Sequence, residues 1–236
     1  MKTTLSGTIA GWTAAGLGLL LLSGCTTTQK ADLSRSELNC GMLGRTCRLL
    51  KPGTDDQMAF RYVNPTAKWA QYNKVMIEPV SYWGGDKDEL SSGDQQAVVD
   101  YFNQKLNEEL GKKFTVVAQP GPGVMKLQVA LVHAETATPG LRTISMAVPQ
   151  AHMLSNLGYV ATGKFPFVGS AQVEAKVTDA ASGELLAAVA DKRLGGGSFT
   201  TAFQWTLGDA QNAMNHWAEN AAERLSAWTS GAERPL

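Results

Sequence analysis

The chain has 236 residues, with 21 basic and 21 acidic side chains, a formal net charge of zero and 44% hydrophobic residues. So even a balance offers no long-range field to a polyanion, and no basic block appears anywhere, which excludes nucleic-acid binding. The length suits one domain of ordinary size with a short appendage.

The chain opens on Lys2 and then a run of small and aliphatic residues, Ile9 to Leu22, interrupted by glycines. A membrane span needs about 20 consecutive apolar residues, so this stretch has the proportions of a signal peptide, residues 1–24, with a small-residue exit. It ends in Leu22-Ser23-Gly24-Cys25, which matches the lipobox that bacterial lipoprotein processing reads. The competing reading is a plain secretory signal with a chance cysteine at its end. The required order of Leu, a small residue, Gly and Cys favours the lipobox. By resemblance to bacterial lipoproteins, the Cys25 thiol takes a diacylglycerol, the Gly24–Cys25 bond is cut, and the new amino group is acylated. Each buried methylene contributes roughly 0.8 kcal/mol and one chain holds only marginally, so two or three chains on one residue make a stable membrane anchor. Thr26 stands where Asp in Gram-negative lipoproteins favours the inner membrane. The same resemblance therefore implies the outer membrane, with the body facing the periplasm.

Residues 25–50 read as a lipidated tether followed by a short Cys loop. Thr26-Thr27-Thr28-Gln29-Lys30-Ala31 is polar and aperiodic, the composition of a flexible spacer. Cys40 and Cys47 have six residues between them, Gly41 and Gly44 among these. In an exported chain two nearby cysteines read as a disulfide, and the glycines help so small a ring close. The alternative is a metal site, for which two thiols with no neighbouring His or second pair are too few ligands.

The α+β domain is expected over 51–228. Lys51-Pro52-Gly53 and Asn64-Pro65 are turn signals around an extended piece, Ala59 to Val63. Lys74 to Val80 is an apolar run ended by Pro79 and reads as a buried strand. Ser91 or Ser92 caps a helix, with Asp94 or Gln95 completing a capping box. Val98, Val99, Phe102, Leu106 and Leu110 recur at three- and four-residue spacing along it, and Gly111 closes it. Strands follow at Phe114–Ala118 and Val124–Glu135, separated by Pro120-Gly121-Pro122-Gly123. Residues 137–165 have apolar density without a clean period. Such a segment serves either as core lining or as a partner surface. Ala171, Val173, Ala175 and Val177 then alternate with Gln172, Glu174, Lys176 and Thr178, the pattern of a half-buried strand. A turn at 179–184 and a returning strand, Leu185–Leu194, complete a hairpin. A last amphipathic helix from a cap at Asp209 to Trp228 places Ala210, Met214, Trp217, Ala221, Leu225 and Trp228 on one face. Residues 229–236 read as a frayed tail. The order is β-α-β-β, an irregular middle, then β-β-α. This is a single compact domain with a mixed or antiparallel sheet and two main amphipathic helices, and it has no internal repeat.

Several of these stretches together carry a resemblance. Leu50-Lys51-Pro52-Gly53, Arg61-Tyr62-Val63-Asn64-Pro65, Tyr72 through Val80, Ala171 through Asp179 and Gly183-Glu184-Leu185-Leu186 resemble the bacterial lipoprotein family of domain of unknown function 3313. The likeness spans roughly residues 45–228 and its motifs are structural. More loosely, the element order and a strand-turn of the type Val-x-Asp-x-x-x-Gly-x-Leu are similar to periplasmic lipoproteins with an anticodon-binding-domain-like fold. Among these are the curli secretion lipoprotein and activators of peptidoglycan synthases. That likeness concerns fold and implies no activity.

Motifs of known chemistry are missing from the sequence. His133, His152 and His216 show no metal-ligand spacing, and no His-Glu-x-x-His or Gly-x-Ser-x-Gly occurs. Gly195-Gly196-Gly197-Ser198 lacks the following Lys-Ser/Thr of a phosphate loop and reads as a flexible strand exit. Glu78 and Glu174 read as solvent-face strand residues and not as an acid/base pair. Trp69 and Trp83 flank the first strand, where they are either core and rim or a stacking surface for sugar rings. No catalytic, metal or cofactor residues are assigned. The expectation is a non-enzymatic, outer-membrane-anchored lipoprotein that binds or assembles an envelope component, a protein or the cell wall. The alternatives are a small-molecule or glycan binder, or an enzyme, using 137–165, and an oligomeric assembly component.

Overall fold

Three long strands set the frame, because alternation along each presents one set of side chains to either side of the sheet. The computed structural model describes residues 28–84, 90–134, 170–194 and 208–234. Among them lie nine strands: β1 (Gln29–Lys30), β2 (Lys51–Pro52), β3 (Phe60–Val63), β4 (Lys74–Ile77), β5 (Ser81–Tyr82), β6 (Thr115–Val116), β7 (Val124–Ala134), β8 (Ser170–Asp179) and β9 (Leu185–Leu194). Two long helices accompany them, α1 (Ser92–Gly111) and α2 (Gly208–Ser230). The strands form one open mixed sheet in the order β2-β3-β9-β8-β7-β4-β6, with β1 also on β9 and β5 also on β7. β4 and β5 run parallel to β7, and β4 parallel to β6; the remaining pairs are antiparallel. The expected α+β order thus stands: the extended piece at Ala59–Val63 becomes β3, and three further short strands, β1, β2 and β5, join the sheet. The irregular segment 137–165 and the glycine run 195–198 lie outside the described residues.

One face of the sheet is covered by the helices. Ser91 caps α1 by accepting the Asp94 backbone N–H, and Val98, Val99, Phe102, Leu106 and Leu110 are buried as the spacing requires. On α2, Ala210, Met214, Trp217 and Leu225 are buried as expected, joined by Ala213, Ala218 and Ala222. The helices cross at Phe102 and Trp217, whose ring centroids are 6.1 Å apart. Beneath them lie Leu127, Val129 and Leu131 of β7, in register with Val177, Ala175 and Val173 of β8. These three pair in turn with Ala187, Val189 and Asp191 of β9.

The other face departs from the expectation of a tether. From Gln29 onward the chain is part of the fold: Gln29 pairs with Leu194 and Lys30 with Arg193. Two 3₁₀ turns, Arg35–Glu37 and Gly44–Leu49, then carry the segment across the sheet. Leu43, Cys47 and Leu50 form a second buried cluster with Phe60 of β3 and Ala188 and Ala190 of β9. The physical reason is that β3, β8 and β9 need cover on both faces. Leu43, Leu50 and the flanking Leu33 and Leu38 supply enough apolar surface to provide it.

The motifs that carry the resemblance converge at one end of the sheet. Asp179 accepts from the backbone N–H groups of Ala181 and Ser182 and from the Tyr72 hydroxyl, closing the β8–β9 turn. Gly183 completes that turn at a φ of 75°, a left-handed conformation that other residues adopt only at a cost. Asn64 donates to the Glu184 carboxylate and the Leu185 carbonyl while accepting from Thr66. The strand-turn and the Asn-Pro dipeptide are therefore one hydrogen-bonded hub that fixes the hairpin.

Candidate functional site

Of the residues singled out from sequence, Gly24 and Cys25 lie outside the described residues. Cys40 and Cys47 are brought together as a disulfide with Cα atoms 5.6 Å apart. Cys40 and Gly44 both adopt left-handed backbone, at φ of 57° and 56°. The disulfide loop lies over β8, whose supposedly exposed residues hold it. Gln172 donates to the Glu37 carbonyl at 3.0 Å, and Lys176 to the Met42 carbonyl at 2.9 Å. Between them, Glu174 accepts the Cys40 backbone N–H at 2.9 Å. Three polar side chains at two-residue spacing thus clamp the backbone of residues 37–42.

Glu174 is a correction to the sequence reading. It is 0% exposed, not on a solvent face. Its Oε2 has no hydrogen-bond partner among the described residues. Burial pushes its pKa up, while the backbone N–H groups of Cys40 and Asn39 oppose the rise. Glu78 is half-buried and takes the Gln128 amide and the Lys126 ammonium, so the two acids form no pair. Of the two tryptophans beside the first strand, Trp69 is buried. Trp83 is 43% exposed, and its backbone carbonyl accepts from Asn39 of the cap.

The helix face contains a second buried carboxylate that sequence reasoning missed. Asp191 is 0% exposed and accepts from the Ala59 backbone N–H, the Arg193 Nε and the Trp217 indole N–H at 2.8–2.9 Å. Its signal was present: in β9 it shares the face of Ala187 and Val189, an acid in an apolar register position.

Beside Asp191, α2 stands away from the sheet and leaves a cleft of about 130 Å³. Its floor is Leu127, Ala175, Val177, Ala187 and Val189, and its wall is Ala221, Leu225 and Trp228 of α2. The space arises because small residues face each other: Ala175 and Ala187 on the strands oppose Ala221 on the helix, so the two surfaces cannot interlock there. Ala175, Val189, Ala221 and Trp228 remain only half-buried, as residues facing an open trough do.

The lips of the cleft are charged. Arg61 of β3 and Arg224 of α2 line it together with Asp56 and Glu233. Arg224 pairs with Glu233 at 2.6 Å and lies 3.8 Å from Asp56. Burial, and next the like charge of Arg224, lower the Arg61 pKa, with Glu233 and Asp56 opposing. His216, one turn before Asn220 on α2, is held below its usual pKa by burial and then by Arg193, with Asp191 opposing. Among the described residues no group of three or more His, Cys, Asp or Glu is placed to hold a metal ion. No described helix is long and apolar enough to cross a membrane.

Comparison with known proteins gives one family match. The model of DUF3313, a protein family of unknown function, matches residues 41–221. No curated protein matches the chain significantly. Similar solved structures include the PelC dodecamer from Paraburkholderia phytofirmans, at 10% identity and a TM-score of 0.37, over 67% of this chain and 94% of that one. A DUF330 protein from Xanthomonas campestris is 12% identical at a TM-score of 0.41, over 73% of this chain and 96% of that one. A neuraminyllactose-binding hemagglutinin homolog from Helicobacter pylori is 9% identical at a TM-score of 0.31, over 70% and 88%. All three are loose likenesses.

Proposed function

The chain belongs to the DUF3313 family, and from that premise we propose that it is a lipid-anchored envelope module, held to the outer membrane through Cys25 and facing the periplasm. It acts by binding another envelope component and not by catalysis. The observation that carries the binding reading is the half-open apolar cleft under α2 with arginines at its lips. Clefts of this kind, mostly apolar with a few convergent polar groups, are where proteins take ligands. The envelope address is supported by Leu22-Ser23-Gly24-Cys25 and by the Cys40–Cys47 disulfide, which persists in an oxidising compartment.

The sheet begins close to the anchor. Three residues, and so four residue-to-residue steps, separate Cys25 from Gln29, which is already paired in the sheet. Fully extended they span at most about 14 Å. The mechanism is therefore positioning at short range, with the domain kept within a few residues of the bilayer.

Replacement of Cys25 tests the anchor. Wild-type protein is expected to incorporate labelled palmitate and to fractionate with the outer membrane, whereas Cys25→Ser loses both. A Cys25→Ser chain that still carries palmitate and still reaches the outer membrane overturns the proposal. For the binding surface, a photo-crosslinking residue at Ala221 should yield a discrete adduct in cells, and one at exposed Asp100 on α1 should not. Equal crosslinking from both positions counts against the cleft.

A further inference from the structure

The ligand class follows from what surrounds the cleft. We infer that the cleft under α2 binds an anionic amphiphile, seating a short stretch of aliphatic chain in the trough and a carboxylate or phosphate oxyanion on Arg61 and Arg224. This inference rests on the reading of the cleft as the binding surface.

The trough supplies the first argument. Its volume of about 130 Å³ is close to the roughly 150 Å³ of an apolar protein cavity that stays dry and holds a benzene ring. That is room for about six carbons. Its floor offers alanine, valine and leucine side chains, and other polar residues around it are already engaged: Arg193 with Asp191, Asn220 with His216, Lys176 with the Met42 carbonyl and Gln57 with the Thr54 N–H.

The lips supply the second. Three guanidinium groups line the same opening; Arg193 is held by Asp191, while Arg61 and Arg224 stand at the lip, where the positive charge of one bears on the other. Guanidinium forks match carboxylate and phosphate oxygens, which a single ammonium does less well. The protein already demonstrates the contact, since the Glu233 carboxylate sits 2.6 Å from Arg224. Glu233 lies beyond the end of α2, and Asp56 lies in an exposed turn with its side chain 75% accessible and 3.8 Å from Arg224. Exposed ion pairs of this kind contribute little, so an incoming oxyanion displaces them at small cost.

The position of the cleft supplies the third. Asp56, Gln57 and Met58 form one lip, and Thr54 of the same turn accepts from the Lys30 ammonium at 2.7 Å. Lys30 is five residues from Cys25, at most about 18 Å of chain. With Cys25 acylated, this lip lies within reach of the bilayer surface, where molecules with an oxyanion and an aliphatic chain are concentrated.

The test uses the full lipidated protein reconstituted in phosphatidylethanolamine vesicles. These are doped separately with a diazirine-bearing fatty acid, a diazirine-bearing phosphatidylglycerol and an uncharged diazirine-bearing alkane, and adducts are mapped by mass spectrometry. Adducts from either anionic probe are expected in peptides holding Ala175–Val177, Ala187–Val189 and Asn220–Trp228. The fatty-acid arm and the phospholipid arm identify the source of the oxyanion. The double variant Arg61→Gln, Arg224→Gln is expected to lower anionic labelling at least about tenfold, the loss of one charge-assisted contact or more. Ala221→Trp, which fills the trough, should abolish it, and circular dichroism checks that each variant is folded. If Ala221→Trp fails to fold, the arginine variant carries the test alone. Labelling by the alkane equal to that by the anionic probes, adducts outside the cleft, or indifference to the arginine variant overturns the inference. A protein crosslinked through position 221 in cells, without lipid adducts in vesicles, overturns this ligand class while leaving the binding reading intact.

Discussion

Among the described residues the two faces of the sheet each bury one carboxylate, and the two are treated differently. On the helix face Asp191 receives three donors, from the backbone, a guanidinium and an indole, and ties β9 to β3 and α2. On the cap face Glu174 receives backbone N–H groups from the disulfide loop, and its second oxygen is left without a partner among the described residues. The residues are close, because Val173 pairs with Asp191 and Glu174 with Ala190. A satisfied buried charge serves as a structural tie. An incompletely satisfied one marks a face whose cover is held on less secure terms, here by one disulfide and a row of polar clamps.

The largest effect that would sharpen this contrast is at Asp191. Asp191→Ala removes the acceptor from three donors, the Trp217 indole buried and the other two part-buried, and leaves Arg193, whose side chain is 11% exposed, without its ion-pair partner. Breaking a buried pair in this way costs about 3–5 kcal/mol, to be read as the shift in urea unfolding free energy. A loss below about 1 kcal/mol, the scale of an exposed pair, would make Asp191 no tie at all.

The cap should give a smaller and more local response. Constraining a loop as short as that between Cys40 and Cys47 contributes about 2–3 kcal/mol in the chain-entropy account. Reduction, or the double change Cys40→Ser, Cys47→Ser, is expected to lower stability by that order. Amide exchange should accelerate in residues 37–50 first, while α1 and β7 stay protected. Uniform acceleration across both faces would show that the cap and the helix layer unfold as one unit.

The helix face was legible in the sequence because its spacing is unambiguous. Val98, Phe102, Leu106 and Leu110 on α1, Met214, Trp217 and Leu225 on α2, and the alternation in β8 each announce one buried side. The cap face was misread for a physical reason. Gln172, Glu174 and Lys176 are polar, and polarity in an alternating strand normally means water. What covers them is not apolar packing alone but backbone carbonyls and amides of residues 37–42, whose presence no periodicity reveals. Polar Thr26–Lys30 likewise read as spacer, since a two-residue strand at Gln29–Lys30 is too short to show a period. The cleft was hidden for a third reason: it depends on small residues on β8, β9 and α2 meeting across a long sequence separation. Leu22-Ser23-Gly24-Cys25 is the opposite case, a short contiguous match to a lipobox that raises its expectation without any fold.

The smallest effect is the one that tests Glu174 itself. Burial raises its pKa above the ordinary 4.5, so the folded chain holds this proton at pH values where the unfolded chain has released it. Stability is therefore favoured at low pH and falls as pH rises from 4.5 through the raised folded value; the penalty is fully present above that value. Glu174→Gln cannot ionise and keeps an acceptor for the Cys40 N–H. It is expected to be at least as stable as wild type near neutrality, with the advantage shrinking toward pH 4.5. His216 works in the other direction, since its lowered folded pKa makes stability fall as pH drops below 6.5. That contribution is common to both chains and cancels in their difference, so the quantity to follow is the wild-type-minus-variant unfolding free energy at several pH values. A difference that does not change with pH would mean that the Glu174 carboxylate titrates alike in the folded and unfolded chains. The cap would then be held as securely as the helix face, and the contrast between the two carboxylates would fail.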